Sequence, residues 1–114
     1  MHTLALLLLF ALDINGRWWG NATINGAHNR LYITFVREGD RLRGTGGPTK
    51  VDQNPMQNGR IEGNRFIFDI APGGYSPLHF DIKADGEQLK GTLSVKRNGQ
   101  TITGPVSLTR RTSD

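Results

Sequence analysis

The chain of 114 residues contains no cysteine. Disulfide frameworks, thiolate zinc sites and thiol catalysis are therefore excluded. Long apolar runs are nearly absent as well. The one present, Leu4 to Leu12, has nine residues, far short of the roughly 20 that a membrane-spanning helix needs. Blocks of like charge are missing: the fourteen Lys and Arg residues are scattered, with Lys96-Arg97 and Arg110-Arg111 as the doublets. The formal charge of +4 favours acidic partners in general. Cations dispersed along a chain read as a solvated surface, so nucleic-acid binding is not expected. There is no Gly-x-Ser-x-Gly elbow around a serine. The acidic stretches Asp52–Pro55 and Asp85–Gln88 are too short for a calcium loop.

The apolar run belongs to a leader, residues 1–13, set apart from a single domain at 14–114. Its length suits the apolar region of a secretory signal, which places the protein outside the cytoplasm, secreted or periplasmic. No Lys or Arg precedes it and no small-x-small cleavage site follows. Its alternative is a docking segment, helical because Leu and Ala dominate it.

What the chain does contain is turn chemistry. Fifteen glycines fall mostly in pairs such as Gly63-Asn64, Asp85-Gly86 and Asn98-Gly99, or in Glu38-Gly39-Asp40, which supply the positive φ angles of tight hairpins. Between them apolar residues alternate with polar ones. The alternation predicts strands at 16–24, 30–38, 41–46, 57–62, 65–70, 78–84, 88–96 and 100–110. Longer connections are expected at 25–29, 46–55 and 71–77. Consecutive strands joined by tight turns form an antiparallel up-and-down meander. Eight of them close most economically into a barrel, leaving no exposed edge. The fold class expected is therefore all-β.

Two stretches repeat each other. LYITFVREGDRLRGT (31–45) and LHFDIKADGEQLKGT (78–92) align without gaps at an offset of 47, with Leu31/Leu78, Gly39/Gly86, Leu42/Leu89, Gly44/Gly91 and Thr45/Thr92 identical. Alternation also assigns the faces. Trp18, Ala22, Ile24, Leu31, Ile33, Phe35, Leu42, Ile61, Phe66, Phe68 and Ile70 point inward. So do Leu78, Phe80, Ile82, Leu89, Leu93, Val95, Ile102, Val106 and Leu108. The opposite face carries the charges, so a slip of one residue would bury them.

Trp18 falls in the inward set and Trp19 in the outward set. Gly16-Arg17-Trp18 opens the first strand, and Arg110 and Arg111 end the last. This combination resembles the lipocalin and wider calycin group, above all the compact lipocalin-like domains of bacterial secreted proteins. The resemblance implies a barrel whose Gly-x-Trp tryptophan packs under the closed end against an arginine of the final strand. Gly16, Trp18, Arg110 and Arg111 are the closure residues it implies; by alternation Gly16 and Gly20 share the face of Trp18 and are expected to clear room for its indole. The long first loop and C-terminal helix of typical lipocalins have no counterpart here.

Three functions follow as expectations. A binding or accessory protein for a small lipophilic molecule comes first, with Trp18, Tyr75 and Phe80 at a mouth of the barrel and no cofactor. A hydrolase of lipophilic esters or lactones would use the outward His79 and Asp81, with Asp69 nearby and a metal ion held between them. A structural interaction module would need neither. The outward Trp19 and Tyr32 mark an interface, covered by the leader or shared in a homo-oligomer.

Overall fold

The computed structural model describes residues 13–73 and 76–112. The apolar run of the leader and Tyr75 lie outside the described residues. Eight strands follow in order: β1 (Gly16–Ile24), β2 (Ala27–Glu38), β3 (Arg41–Gly47), β4 (Asn54–Glu62), β5 (Arg65–Ile70), β6 (Leu78–Asp85), β7 (Gln88–Arg97) and β8 (Gln100–Arg110). Each pairs antiparallel with the next, and β8 pairs with β1 to close the barrel. Among the described residues no helix is long and apolar enough to cross a membrane.

Two boundaries differ from expectation by three residues, each for a local reason, and the ends of β3, β6 and β7 each extend by one. The stretch 25–29 is not a longer connection. Asn25 and Gly26 alone make the turn, with φ of 51° and 79°, and Ala27 already pairs with Ile24. Two positive φ angles in a two-residue loop are the mark of a type I′ hairpin. β4 starts at Asn54 rather than 57 because it is irregular. Its register with β5 shifts between Gln57 and Arg60, and Asn58 has φ 55°. A bulge interrupts the period of two on which the strand assignment depends.

Every residue assigned to the inner face is buried or packed against the core, and Ile14 and Met56 join them. Ile67 is the exception. It has outward phase yet is 2% exposed, and it stands outside the interior cluster. Its neighbours on the adjoining strands are Arg60 and Asp81, so long polar side chains on the outer surface shield it.

The interior is filled by side chains. Phe35 meets Phe68 edge-on at 5.3 Å between ring centres, and Phe68 stacks on Phe80 at 4.7 Å. Rings at these separations lie in their favourable range. A single added methyl has no space at Gly46, where a Cβ would stand 2.4 Å from Ile70 Cδ1.

The repeat at offset 47 has a structural meaning. Phe35 pairs with Gly44 as Ile82 pairs with Gly91, and Arg37 with Leu42 as Ala84 with Leu89. A Cβ on Gly44 would lie 1.9 Å from the Thr34 carbonyl oxygen, and one on Gly91 would lie 2.1 Å from that of Asp81. Thr34 and Asp81 are themselves 47 residues apart. The strands of each hairpin approach closely at the same point, and only glycine permits that approach.

Candidate functional site

At the closed end Trp18 and Arg110 come together, while Gly16, Gly20 and Arg111 take roles other than those expected. Trp18 is completely buried, and its indole N–H donates to the Ile14 carbonyl at 2.9 Å. The Arg110 guanidinium lies 4.4 Å from the Trp18 ring centre. It donates to the carbonyl oxygens of Asn15, at 2.7 Å, and Asp13. Gly16 and Gly20 do not make room for the indole. A Cβ on Gly16 would meet the Arg110 guanidinium at 3.1 Å, and one on Gly20 would run into the Ser107 carbonyl oxygen. Arg111 is not part of the closure under Trp18. Its backbone N–H donates to the Arg17 carbonyl, and its guanidinium lies over Tyr32 at 5.3 Å on the outside.

Trp18 and Phe80 are both 0% exposed. They belong to the packed core and not to a mouth: Arg110 lies over the Trp18 ring, and Phe68 stacks on Phe80. Tyr75 lies outside the described residues.

His79 and Asp81, two apart on β6, are drawn to different partners. His79 Nδ1 donates to Asp69 Oδ1 at 2.7 Å, and Asn58 Nδ2 donates to the other Asp69 oxygen at 3.0 Å. Asp81 instead takes a forked pair of hydrogen bonds from Arg65, that from Nε at 3.0 Å. Hydrogen bonding to Arg65 holds the Asp81 carboxyl below its ordinary range, against a smaller opposing effect of burial. The same pairing raises the Arg65 guanidinium. No group of three His, Cys, Asp or Glu side chains converges to hold a metal ion among the described residues. Ser94 is the β7 partner of His79 in register, but its hydroxyl is 3.1 Å from Thr103 Oγ1.

The outer face of β1 and β2 gathers a different chemistry. Trp19 and Tyr32 are cross-strand partners with rings 5.9 Å apart, and Trp19 is 40% exposed. Arg30 lies over the Trp19 ring at 5.5 Å and reaches the Tyr32 hydroxyl at 3.4 Å. Thus each aromatic ring carries a guanidinium, a favourable contact that also fixes the cation's position. Beside them a cleft of about 210 Å³ is lined by Arg17, Tyr32, Thr34, Lys50, Gln53 and Arg111. A second, wider cleft on the outer surface lies between His28, Lys90 and Pro105.

Sequence reading found Trp19 and Tyr32 but not the cations around them. Residues 17, 30, 50 and 111 look dispersed along the chain; 17, 30 and 111 meet because β1 pairs with both β2 and β8, and Lys50 is brought by the segment between β3 and β4. No protein-family model matches the chain, and no curated protein is found to be similar to it.

Proposed function

We propose that this barrel is an interaction module that binds an acidic segment of a partner protein on the outer face around Trp19 and Tyr32. The observation that carries this reading is the cluster of Arg17, Arg30, Lys50 and Arg111 about that aromatic pair. Trp, Tyr and Arg are the residues that dominate the energetics of protein interfaces. Val36 and Val51, 47% and 92% exposed, add apolar contact at its margins.

A second copy of the chain fits this face less well. A two-fold contact sets each patch against itself, so the four cations would oppose their own copies. Like charges facing across an interface disfavour association. The lipocalin-like resemblance is supported by the Trp18–Arg110 stack, which concerns how the barrel closes. An apolar guest inside would have to displace the stacked Phe35, Phe68 and Phe80, so the filled interior favours work from the outside.

The test is fluorescence anisotropy with a labelled peptide rich in Glu and Asp and containing one Leu. Binding should weaken with added salt, and Trp19→Ala or Arg30→Ala should each weaken it by about tenfold or more, as at other aromatic and Arg anchors. Equal binding by the variants would refute the reading. Sedimentation that shows a dimer dissociating on Trp19→Ala would replace the acidic partner with a second copy.

A further inference from the structure

The segment after β3 is fastened to the barrel more firmly than a surface loop requires. Gln53 Nε2 donates to the carbonyl oxygens of Tyr32 at 3.0 Å and Thr49 at 2.7 Å. Its Oε1 accepts from the Thr45 hydroxyl at 2.8 Å. Thr49 Oγ1 accepts from the backbone N–H of Asp52 at 2.8 Å. Gly47 packs so closely beneath that a Cβ would stand 1.9 Å from the Asp52 carbonyl oxygen. Lys50 is therefore carried at a set height above β2, where it lines the cleft with Arg17 and Arg111. Three parts of the chain, distant in sequence, each bring one cation to the same small space.

We infer that this cleft is a subsite for a phosphoryl group, a dianionic oxyanion presented as a monoester. Cations arriving from the start of β1, the end of β8 and the 48–53 segment surround a tetrahedral oxyanion. A planar carboxylate is instead matched by the two parallel N–H groups of one guanidinium. The Thr34 hydroxyl lines the same cleft and can donate to a further oxygen. The volume of about 210 Å³ is several times the roughly 30 Å³ that one water occupies, so it holds the phosphoryl group and the first atoms of its ester. Arg clusters are a recurring means of recognising phosphorylated segments. The inference deepens the reading above and rests on it for the kind of partner, since a phosphorylated residue of an acidic segment would enter here while its neighbours cover Trp19.

The full chain is titrated with phenyl phosphate and, separately, with benzoate, and amide shifts are followed by NMR. Phenyl phosphate should saturate with its largest shifts at Thr34, Lys50 and Arg111, and benzoate should bind at least about tenfold more weakly, the difference of one charge-assisted contact. Lys50→Ala should weaken phenyl phosphate by about tenfold while Lys50→Arg retains it and Lys96→Ala changes nothing. Unsaturable shifts, equal binding of benzoate, or unaltered binding by Lys50→Ala would each overturn the inference. If that happens while the acidic peptide still binds, the interaction module stands without its phosphoryl subsite. Phenyl phosphate bound by a protein that ignores the peptide leaves the subsite and removes the module.

Discussion

Arg110 reaches from the last strand across the first to lie 4.4 Å from the centre of the Trp18 ring, and it holds the chain before β1 by the Asn15 and Asp13 carbonyl oxygens. The barrel is thus closed twice, by the β1–β8 ladder and by one side chain under its end. A guanidinium over an indole is worth about 0.5–2 kcal/mol, and each hydrogen bond adds roughly 1 kcal/mol net. Arg110→Ala should therefore lower stability by about 2–4 kcal/mol in urea denaturation. Arg110→Lys should recover less than half, since an ammonium cannot stack on the ring and fork to two carbonyls together. An Ala variant as stable as the parent would show that the backbone ladder closes the barrel unaided.

Gly44 and Gly91 should be the least replaceable glycines of the two hairpins. Alanine at either meets a backbone carbonyl, which cannot swing aside as a side chain can. Gly44 also has φ +145°, so its substitution adds conformational strain. Gly44→Ala should cost about 3 kcal/mol or more, and Gly91→Ala about 2 kcal/mol. Gly86→Ala is the control: its φ is +65° with open space around it, and the cost should be near 1 kcal/mol. Thermal unfolding of the three variants ranks them directly. Gly91→Ala milder than Gly86→Ala would refute the close approach.

These glycines also show what could be read in advance. Turn pairs and alternation are local signals, so strand order, face assignment and the repeat followed from the residues themselves. β4 was harder, because Asn58-Gly59 has the form of a hairpin turn pair yet marks a bulge inside the strand, where the alternation breaks. The roles of Gly16 and Gly20 were misread because the groups that occupy their space, Arg110 and the Ser107 carbonyl, come from the far end of the chain. The cation cluster on the outer face has the same origin. Lateral contacts across a barrel seam join residues whose separation in sequence carries no periodic trace.

The filled interior yields a prediction about apolar guests. Phe68 touches both Phe35 and Phe80 and is fully buried. Phe68→Ala should cost about 3–5 kcal/mol and leave a dry cavity. Benzene should then stabilise the variant and leave the parent unchanged in thermal unfolding. Stabilisation of the parent by benzene or a lipid would mean the barrel opens to guests.

For the His79 row, the absence of a bond between His79 and Ser94 decides the expected outcome. His79 is held by Asp69 and is 48% exposed at the side chain. The Ser94 hydroxyl has Thr103 as its partner, so no base takes its proton. A fluorophosphonate probe should leave Ser94 unlabelled, and the parent should turn over a lipophilic ester no faster than His79→Ala does. Labelling of Ser94 that disappears in His79→Ala would reveal a serine–histidine pair, and ester turnover lost both on adding a chelator and in His79→Ala would restore the metal-assisted hydrolase.

The Arg65–Asp81 pair sets a pH dependence on the outer surface. Arg65 lowers the Asp81 carboxyl below 3.8, its ordinary value. The folded state then binds fewer protons than the unfolded chain once pH falls into that range. The stabilisation is fully present above 3.8 and is lost as pH falls toward the folded value. Arg65 stays charged throughout, since pairing moves it upward, so the carboxyl alone controls the loss. Both side chains are substantially exposed, at 48% and 31%, and solvent screening keeps the contribution small. In urea titrations, the gap between the parent and Asp81→Asn should hold steady from about pH 7 to 5 and shrink progressively below about pH 4, as the unfolded chain takes up its proton before the folded carboxyl does. High salt should narrow the gap at neutral pH as well, as screening of an exposed pair requires. A gap that keeps its size at pH 3 would assign the difference to the shape of the side chain and its cover over Ile67, not to its charge.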